Sequence, residues 1–257
     1  MRIYAFHCGG EAADMAAFDP FDPAVGTKID IPYFFYLVRH EKGNVLFDSG
    51  AHPSLATDPR ARLGDEADNW EIKMGPEDGV LDHLGKVGLG PGDISHVIHS
   101  HLHYDHAGGI EFFPDTPIVV QRDELAFAHD PPVYQAGLYV KADFDVPGVR
   151  WLEVDGEHDL FGDGKLVLIP TPGHSKGHQS LVVKLESRTV ILLADAAYLV
   201  EKMRARALPA VVWSPDHMVA SWERIEALER ELDAELVATH DLKFAERTRL
   251  APGAWYE

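Results

Sequence analysis

The chain has 257 residues, with 42 acidic against 23 basic side chains and a formal net charge of −19. A field of that sign repels phosphate backbones and anionic lipid, so neither nucleic acid nor a membrane surface is expected as a partner. No apolar run reaches membrane-spanning length, no signal-peptide pattern opens the chain, and the lone Cys8 permits no internal disulfide, so a reducing, cytoplasmic setting is expected.

Residues 2–7 alternate and predict a first strand, whereas residues 9–31, with Pro20, Pro23 and Gly26, read as loop. Residues 33–39 and 44–48 flank Glu41-Lys42-Gly43, the signature of a hairpin. Residues 52–79 are polar and irregular, a candidate cover for a site. A short helix is predicted over 80–87, stopped by Gly88 and Gly90, followed by a strand around His96-Val97-Ile98-His99. Strand 118–121 leads into helix 122–129, and residues 130–148 are a Pro/Gly-rich connection. Strands follow at 151–154 and 165–169, then a hairpin from 180–185 and 189–193. Residues 198–212 form a second covering segment. Ser214-Pro215 opens the clearest helix, in which Met218, Trp222, Ile225, Leu228 and Leu232 recur at helical spacing, and residues 236–238 are the last strand. This order predicts a mixed α/β class in a single domain over 1–257, with no linker to divide it.

The chemistry concentrates in Ser100-His101-Leu102-His103-Tyr104-Asp105-His106-Ala107-Gly108-Gly109. Four metal-ligating side chains fall within six residues directly after an apolar strand. Packing alone does not call for them, because His and Asp are costly to bury unless something pairs them. Imidazole and carboxylate together suit zinc or a similar divalent ion. His174, Asp195 and His240 each end a further apolar run, where α/β folds keep their chemistry. Seven donors exceed one tetrahedral zinc and suit two ions sharing a carboxylate.

This order and spacing resemble the metallo-β-lactamase superfamily of binuclear hydrolases, whose H-x-H-x-D-H signature is matched by His101, His103, Asp105 and His106. One branch is nearer. Pro172-Gly173-His174-Ser175-Lys176-Gly177-His178-Gln179-Ser180, Asp195-Ala196-Ala197-Tyr198, Val120-Gln121-Arg122 and Thr239-His240-Asp241 are similar to segments of N-acyl-homoserine lactone lactonases. The resemblance implies an α+β fold, the four-layer αβ/βα sandwich of the metallo-β-lactamase fold, with the metals at one edge of two facing sheets. It implies two divalent ions, zinc foremost, with manganese, cobalt or iron as alternatives. His101, His103 and His174 would take one ion, Asp105, His106 and His240 the other. Asp195 and a hydroxide would bridge them. A histidine at 103 favours hydrolysis over the di-iron chemistry of relatives that carry glutamate there. An aspartate at 195 points away from the zinc β-lactamases that carry cysteine.

The implied substrate is a small-molecule lactone, the ring-opening of N-acyl-homoserine lactones and thus quorum quenching. A lactonase for another ring, such as 4-pyridoxolactone, is the nearest rival. A glyoxalase II-like thioesterase fits less, since the chain ends soon after His240 without that branch's basic extension. A non-catalytic metal-binding protein is the alternative of another class. Tyr198 either donates to the lactone oxygen or packs at a sheet edge, and Asp105 is the candidate proton carrier. Asp48 and Asp241 either orient histidine ligands or cap turns, and His178 either supports the His174 loop or lies at the surface. Phe18, Phe21, Met15, Tyr139 and Trp213 either line an acyl-chain pocket or fill core, and Tyr104 walls a pocket or packs. His83, His96 and His99 are read as helix and strand histidines, and Cys8 as a small buried residue.

Overall fold

The computed structural model describes residues 1–256. Among these the strands are β1 (Arg2–Asp14), β2 (Lys28–His40), β3 (Gly43–Phe47), β4 (Glu71–Lys73), β5 (Ile94–Ile98), β6 (Pro117–Gln121), β7 (Arg150–Val154), β8 (His158–Asp159), β9 (Leu166–Pro170), β10 (Gln179–Lys184), β11 (Thr189–Ala194) and β12 (Ala234–Ala238). The α-helices are α1 (Pro59–Leu63), α2 (Val80–Lys86), α3 (Tyr104–Ala107), α4 (Arg122–His129), α5 (Lys141–Phe144), α6 (Val200–Arg204), α7 (Pro215–Leu232) and α8 (Leu242–Arg247). They build a seven-stranded sheet, ordered β4-β1-β2-β3-β5-β6-β7, and a five-stranded sheet, ordered β12-β11-β10-β9-β8.

Both sheets are apolar on both faces, which is why so many strands read as unbroken apolar runs. Phe34, Tyr36, Val38, Ile98 and Val119 from the larger sheet meet Leu168, Leu181, Val183, Leu192 and Val237 from the smaller. The alternate residues of the larger sheet, among them Tyr33, Phe35, Leu37, Val97 and Val120, face Val80 and Leu84 of α2 and Phe127 and Ala128 of α4. On the far side, Val182, Ile191 and Leu193 face Met218, Trp222 and Ile225 of α7. Three cores between four layers make the αβ/βα sandwich that the resemblance implied. No helix among the described residues is long and apolar enough to cross a membrane.

The helix and hairpin predictions lie close to the structure, but the loop expected over 9–31 is strand at both of its ends. β1 runs on to Asp14 and β2 starts at Lys28, paired from Arg2↔Arg39 to Asp14↔Lys28. Gly, Ala and Asp have little intrinsic preference for strand, so here the partner strand decides the conformation. The covering segments hold short helical turns, α1 in the first and α6 in the second. α7 begins as its sequence predicts, with Ser214 accepting from the His217 amide and Pro215 in the first turn.

Candidate metal centre

Four strands deliver the seven donors from their C-terminal ends. His101, His103, Asp105 and His106 follow β5, His174 follows β9, Asp195 follows β11 and His240 follows β12. The sheet edge brings all seven together in two groups. One is His101, His103, His174 and Asp195; the other is Asp105, His106 and His240; within each the donor atoms lie within 4.8 Å of one another.

Asp195 divides its oxygens between the groups. Oδ1 lies 3.3 Å from His106 Nε2 and 3.1 Å from His240 Nε2. Oδ2 lies 3.2 Å from His174 Nε2 and 3.7 Å from His101 Nε2. Asp105 Oδ2 is 3.2 Å from His106 Nε2 and 3.7 Å from His240 Nε2.

The outward nitrogens are held by the protein. His106 Nδ1 is 2.9 Å from Asp48 Oδ2, and His101 Nδ1 is 2.9 Å from Ser100 Oγ, which itself donates to Asp48 Oδ2 at 2.9 Å. His240 Nδ1 is 2.9 Å from the Pro32 carbonyl, and His174 Nδ1 is 3.2 Å from that of Val211. Such partners set ring orientation and tautomer. Asp48 thus orients two of the histidines, while Asp241 takes the capping alternative, accepting from the Lys243 amide at the start of α8. His178 is fully buried; its Nε2 accepts from the Asp195 amide at 3.1 Å, and its Nδ1 is 2.9 Å from Thr171 Oγ1.

The donor set fits divalent cations. His101 Nε2, His106 Nε2 and Asp195 Oδ1 are buried without a hydrogen-bond partner, in a protein interior where polar atoms are normally paired. Burial, reinforced by His106 and His103, holds the His101 imidazole well below its usual pKa, in the neutral form that binds metal. Burial acts against the charged forms of Asp195, His106 and His240 as well, yet their opposite charges outweigh it. The Asp195 carboxyl stays well below the usual range, facing His240, His106 and His174, and His106 and His240 are held above theirs by the carboxylates. Two cations would replace this mutual neutralisation.

Backbone strain sits at the same place. Asp48 has φ 63° and Ala194 φ 46°, left-handed values that cost a non-glycine residue about 1–2 kcal/mol. The cost is tolerated because each position is held on several sides. Asp48 donates its amide to Ile98 O and accepts from Ser100, and the residue after Ala194 is gripped by His178.

Two helices aim the loops. Trp222 Nε1 of α7 donates to Ala196 O at 2.6 Å, and Ser221 Oγ donates to Pro172 O at 2.6 Å. Gly173, at φ +147°, passes so close to α7 that a Cβ would meet Met218 Cα at 2.4 Å. Sequence reasoning missed Glu124 of α4. It is fully buried and accepts from the Leu102 amide, Ser175 Oγ, the Gly177 amide and Tyr139 Oη, tying the His101–His103 loop to the His174 loop. Nothing in a first-turn glutamate distinguishes it from one that faces solvent.

Tyr198 stands over the cluster, its hydroxyl 3.4 Å from His174 Nδ1 and its ring 5.1 Å from that of His240 and 5.5 Å from Phe18. A cleft of about 450 Å³, counting the space open to solvent at its mouth, lies there, lined by Tyr198, Asp105 and Tyr104 with Phe18, Trp70 and Leu138. Of the other acyl-pocket candidates, Phe21 is exposed, Tyr139 and Trp213 belong to the core outside the larger sheet, and Met15 lines an adjoining groove. His83 and His99 are buried, His96 is half-buried, and Cys8 is buried, its thiol pushed far up by burial.

The family model described as the metallo-beta-lactamase superfamily matches residues 31–240. The N-acyl homoserine lactonase AttM of Azorhizobium caulinodans is 36% identical over 233 residues, 89% of this chain and 89% of that protein. The N-acyl homoserine lactonase AiiA of Bacillus thuringiensis subsp. kurstaki is 31% identical over 233 residues, 88% of each. An N-acyl homoserine lactone hydrolase with the product N-hexanoyl-L-homoserine bound at its catalytic metal center superposes with a TM-score of 0.88 at 28% identity, over 98% of both chains.

Proposed function

The chain belongs to the metallo-beta-lactamase superfamily, and on that footing we propose that it is a metal-dependent hydrolase that opens the lactone ring of N-acyl-homoserine lactones, quenching the signals that carry it. The observation that carries this reading is the division of Asp195 between two histidine groups beneath the Tyr198 hydroxyl. The lactonase relatives support the substrate class.

His101, His103 and His174 would hold one divalent ion and Asp105, His106 and His240 a second, with Asp195 shared. Zinc suits this nitrogen and oxygen set, as do manganese, cobalt and iron. When bound, such ions supply a water that ionises near neutral pH and a positive field for a carbonyl oxygen.

The chain's own residues do the remainder. Burial, with Asp195 and Asp105 nearby, pushes the Tyr198 hydroxyl well above its usual pKa, so it stays a hydrogen-bond donor at neutral pH. It donates to the lactone oxygen as negative charge develops there. Asp105 lines the same cleft; it takes the proton released by the attacking water and returns it to the ring oxygen as the C–O bond breaks. The product is the open hydroxy acid. Phe18, Trp70 and Leu138 wall the cleft and keep bulk water from the reacting groups.

The test is turnover of N-hexanoyl-homoserine lactone, followed by acid release, with elemental analysis of the same sample. About two ions per chain are expected, with turnover abolished by chelator, restored by zinc, and glutathione thioesters poor substrates. A loaded protein that ignores every acyl-homoserine lactone but hydrolyses 4-pyridoxolactone would move the substrate to that ring. Two ions with no hydrolysis at all would leave a metal-binding protein.

A further inference from the structure

Glu11 lines the cleft beside Asp105 and His240, and the chemistry above gives it no task. Its position is produced by a β-bulge. Up to His7 the β1–β2 register pairs His7 with Phe34; from Gly10 it pairs Gly10 with Pro32 and Glu11 with Ile31, so β1 gains one residue. One extra residue moves every later side chain to the opposite face. Tyr4, Phe6 and Cys8 point into the core outside the larger sheet, and after the bulge it is Glu11 that shares a face with Tyr33. The bulge depends on Gly9, at φ +85°, and on Gly10, where a Cβ would meet Ile31 O at 2.4 Å.

The carboxylate so placed is 7% exposed. Tyr33 Oη donates to its Oε2 at 2.6 Å, and Tyr104 Oη donates to the same oxygen at 2.5 Å. No hydrogen bond from the described residues reaches Oε1. Ile31, Trp70 and Leu138 line the cleft wall with the polar Asp105 and His240, and Glu11 also borders an adjoining groove with Asp30 and Lys73. A carboxylate oxygen in so enclosed a place binds a donor that reaches it more strongly than it would in water. Tyr104 immediately precedes Asp105, and the Tyr33 and His240 rings are 6.3 Å apart, so both braces of Glu11 border the donor cluster.

We propose that Glu11, braced by Tyr33 and Tyr104, is a specificity residue that accepts a hydrogen bond from a neutral N–H or O–H donor on the substituent of the lactone ring. The inference rests on the lactonase reading above. A neutral donor suits the free oxygen, and an anionic substituent does not. The two sources of such a donor are the exocyclic amide and a hydroxyl on the acyl chain.

The experiment compares metal-loaded wild type and Glu11→Gln on N-hexanoyl-homoserine lactone, its 3-hydroxyhexanoyl analogue and an alkyl γ-lactone of similar size. Glutamine keeps the shape but turns an NH₂ toward the cleft if its oxygen still receives the tyrosines. The kcat/KM preference for the amide lactone over the alkyl lactone should fall about tenfold or more, chiefly through KM, with metal content unchanged. A fall confined to the hydroxyacyl substrate assigns the donor to the chain hydroxyl and also supports the proposal. An unchanged preference ratio, or an equal loss on all substrates accompanied by lost metal, overturns it and reduces Glu11 to bracing Tyr104. Wild type that hydrolyses none of the three overturns the lactonase reading and this inference with it.

Discussion

Asp195 shows why single residues matter at this site. Its two oxygens face histidine nitrogens on opposite sides, and its amide is held by His178, a residue that touches none of the cleft. The histidines in turn depend on Asp48 and on backbone carbonyls for their orientation. The candidate donor types were legible in the sequence, because His and Asp in such a run have no packing rationale. The supporting residues were legible only in part: Asp48 and Asp241 looked alike, and only one orients a histidine. Tyr198 carries the clearest prediction at this scale. Tyr198→Phe removes the hydroxyl and leaves the ring between Phe18 and His240. Metal content should hold and kcat should fall on the order of tenfold, less than the 10²–10³ of an oxyanion donor acting alone, since metal ions would share its work. Steady-state kinetics with elemental analysis checks this, and an unchanged kcat would assign Tyr198 to packing.

Elements work here as anchors. α7 fixes both the Asp195 and the His174 loops through Trp222 and Ser221, and α4 ties two ligand loops together through Glu124. The apolar spacing of α7 predicted which face is buried, but not that Trp222 also carries a loop. α2 offers a prediction of stability. His83 packs edge-on against the stacked rings of Phe6 and Phe35, 5.4 and 5.7 Å away, and burial, then Lys86, push its imidazole down to about 4. The unfolded chain, with a histidine near 6.5, therefore takes up the proton first as pH falls. The contribution of His83 is present above about pH 6.5 and is lost as pH drops toward 4. His83→Phe should make the acid loss of unfolding free energy shallower in that window, by up to about 1.4 kcal/mol per pH unit. Urea unfolding at several pH values measures it, and identical slopes would contradict the assignment.

At the scale of the whole molecule the two sheets meet at the cluster. The larger sheet supplies His101, His103, Asp105 and His106, and the smaller supplies His174, Asp195 and His240. An ion held by both would tie the halves together and stabilise the native state by mass action, about 2.7 kcal/mol per site at a hundredfold excess over Kd. For a chain of this length that predicts a fall in Tm on the order of 10 °C on chelation, recovered by adding zinc and read by calorimetry. An unchanged Tm would mean that the cluster does not join the sheets through metal.

The seven candidate donors were legible from residue identity and spacing, because such a run after a strand is local, whereas their division into two groups came from the resemblance. So were the hairpins and α7, whose apolar periods are written over short stretches. What only the tertiary structure decided was non-local. Residues 9–14 are strand because β2 pairs with them, and Glu11 faces the cleft because one bulge shifts the register by a residue. Glu124 is buried because two loops bring their donors to it, one of them Ser175, 51 residues further along the chain. Burial and side-chain partners of this kind depend on which strands and loops meet in space, and a local pattern of residues does not encode that.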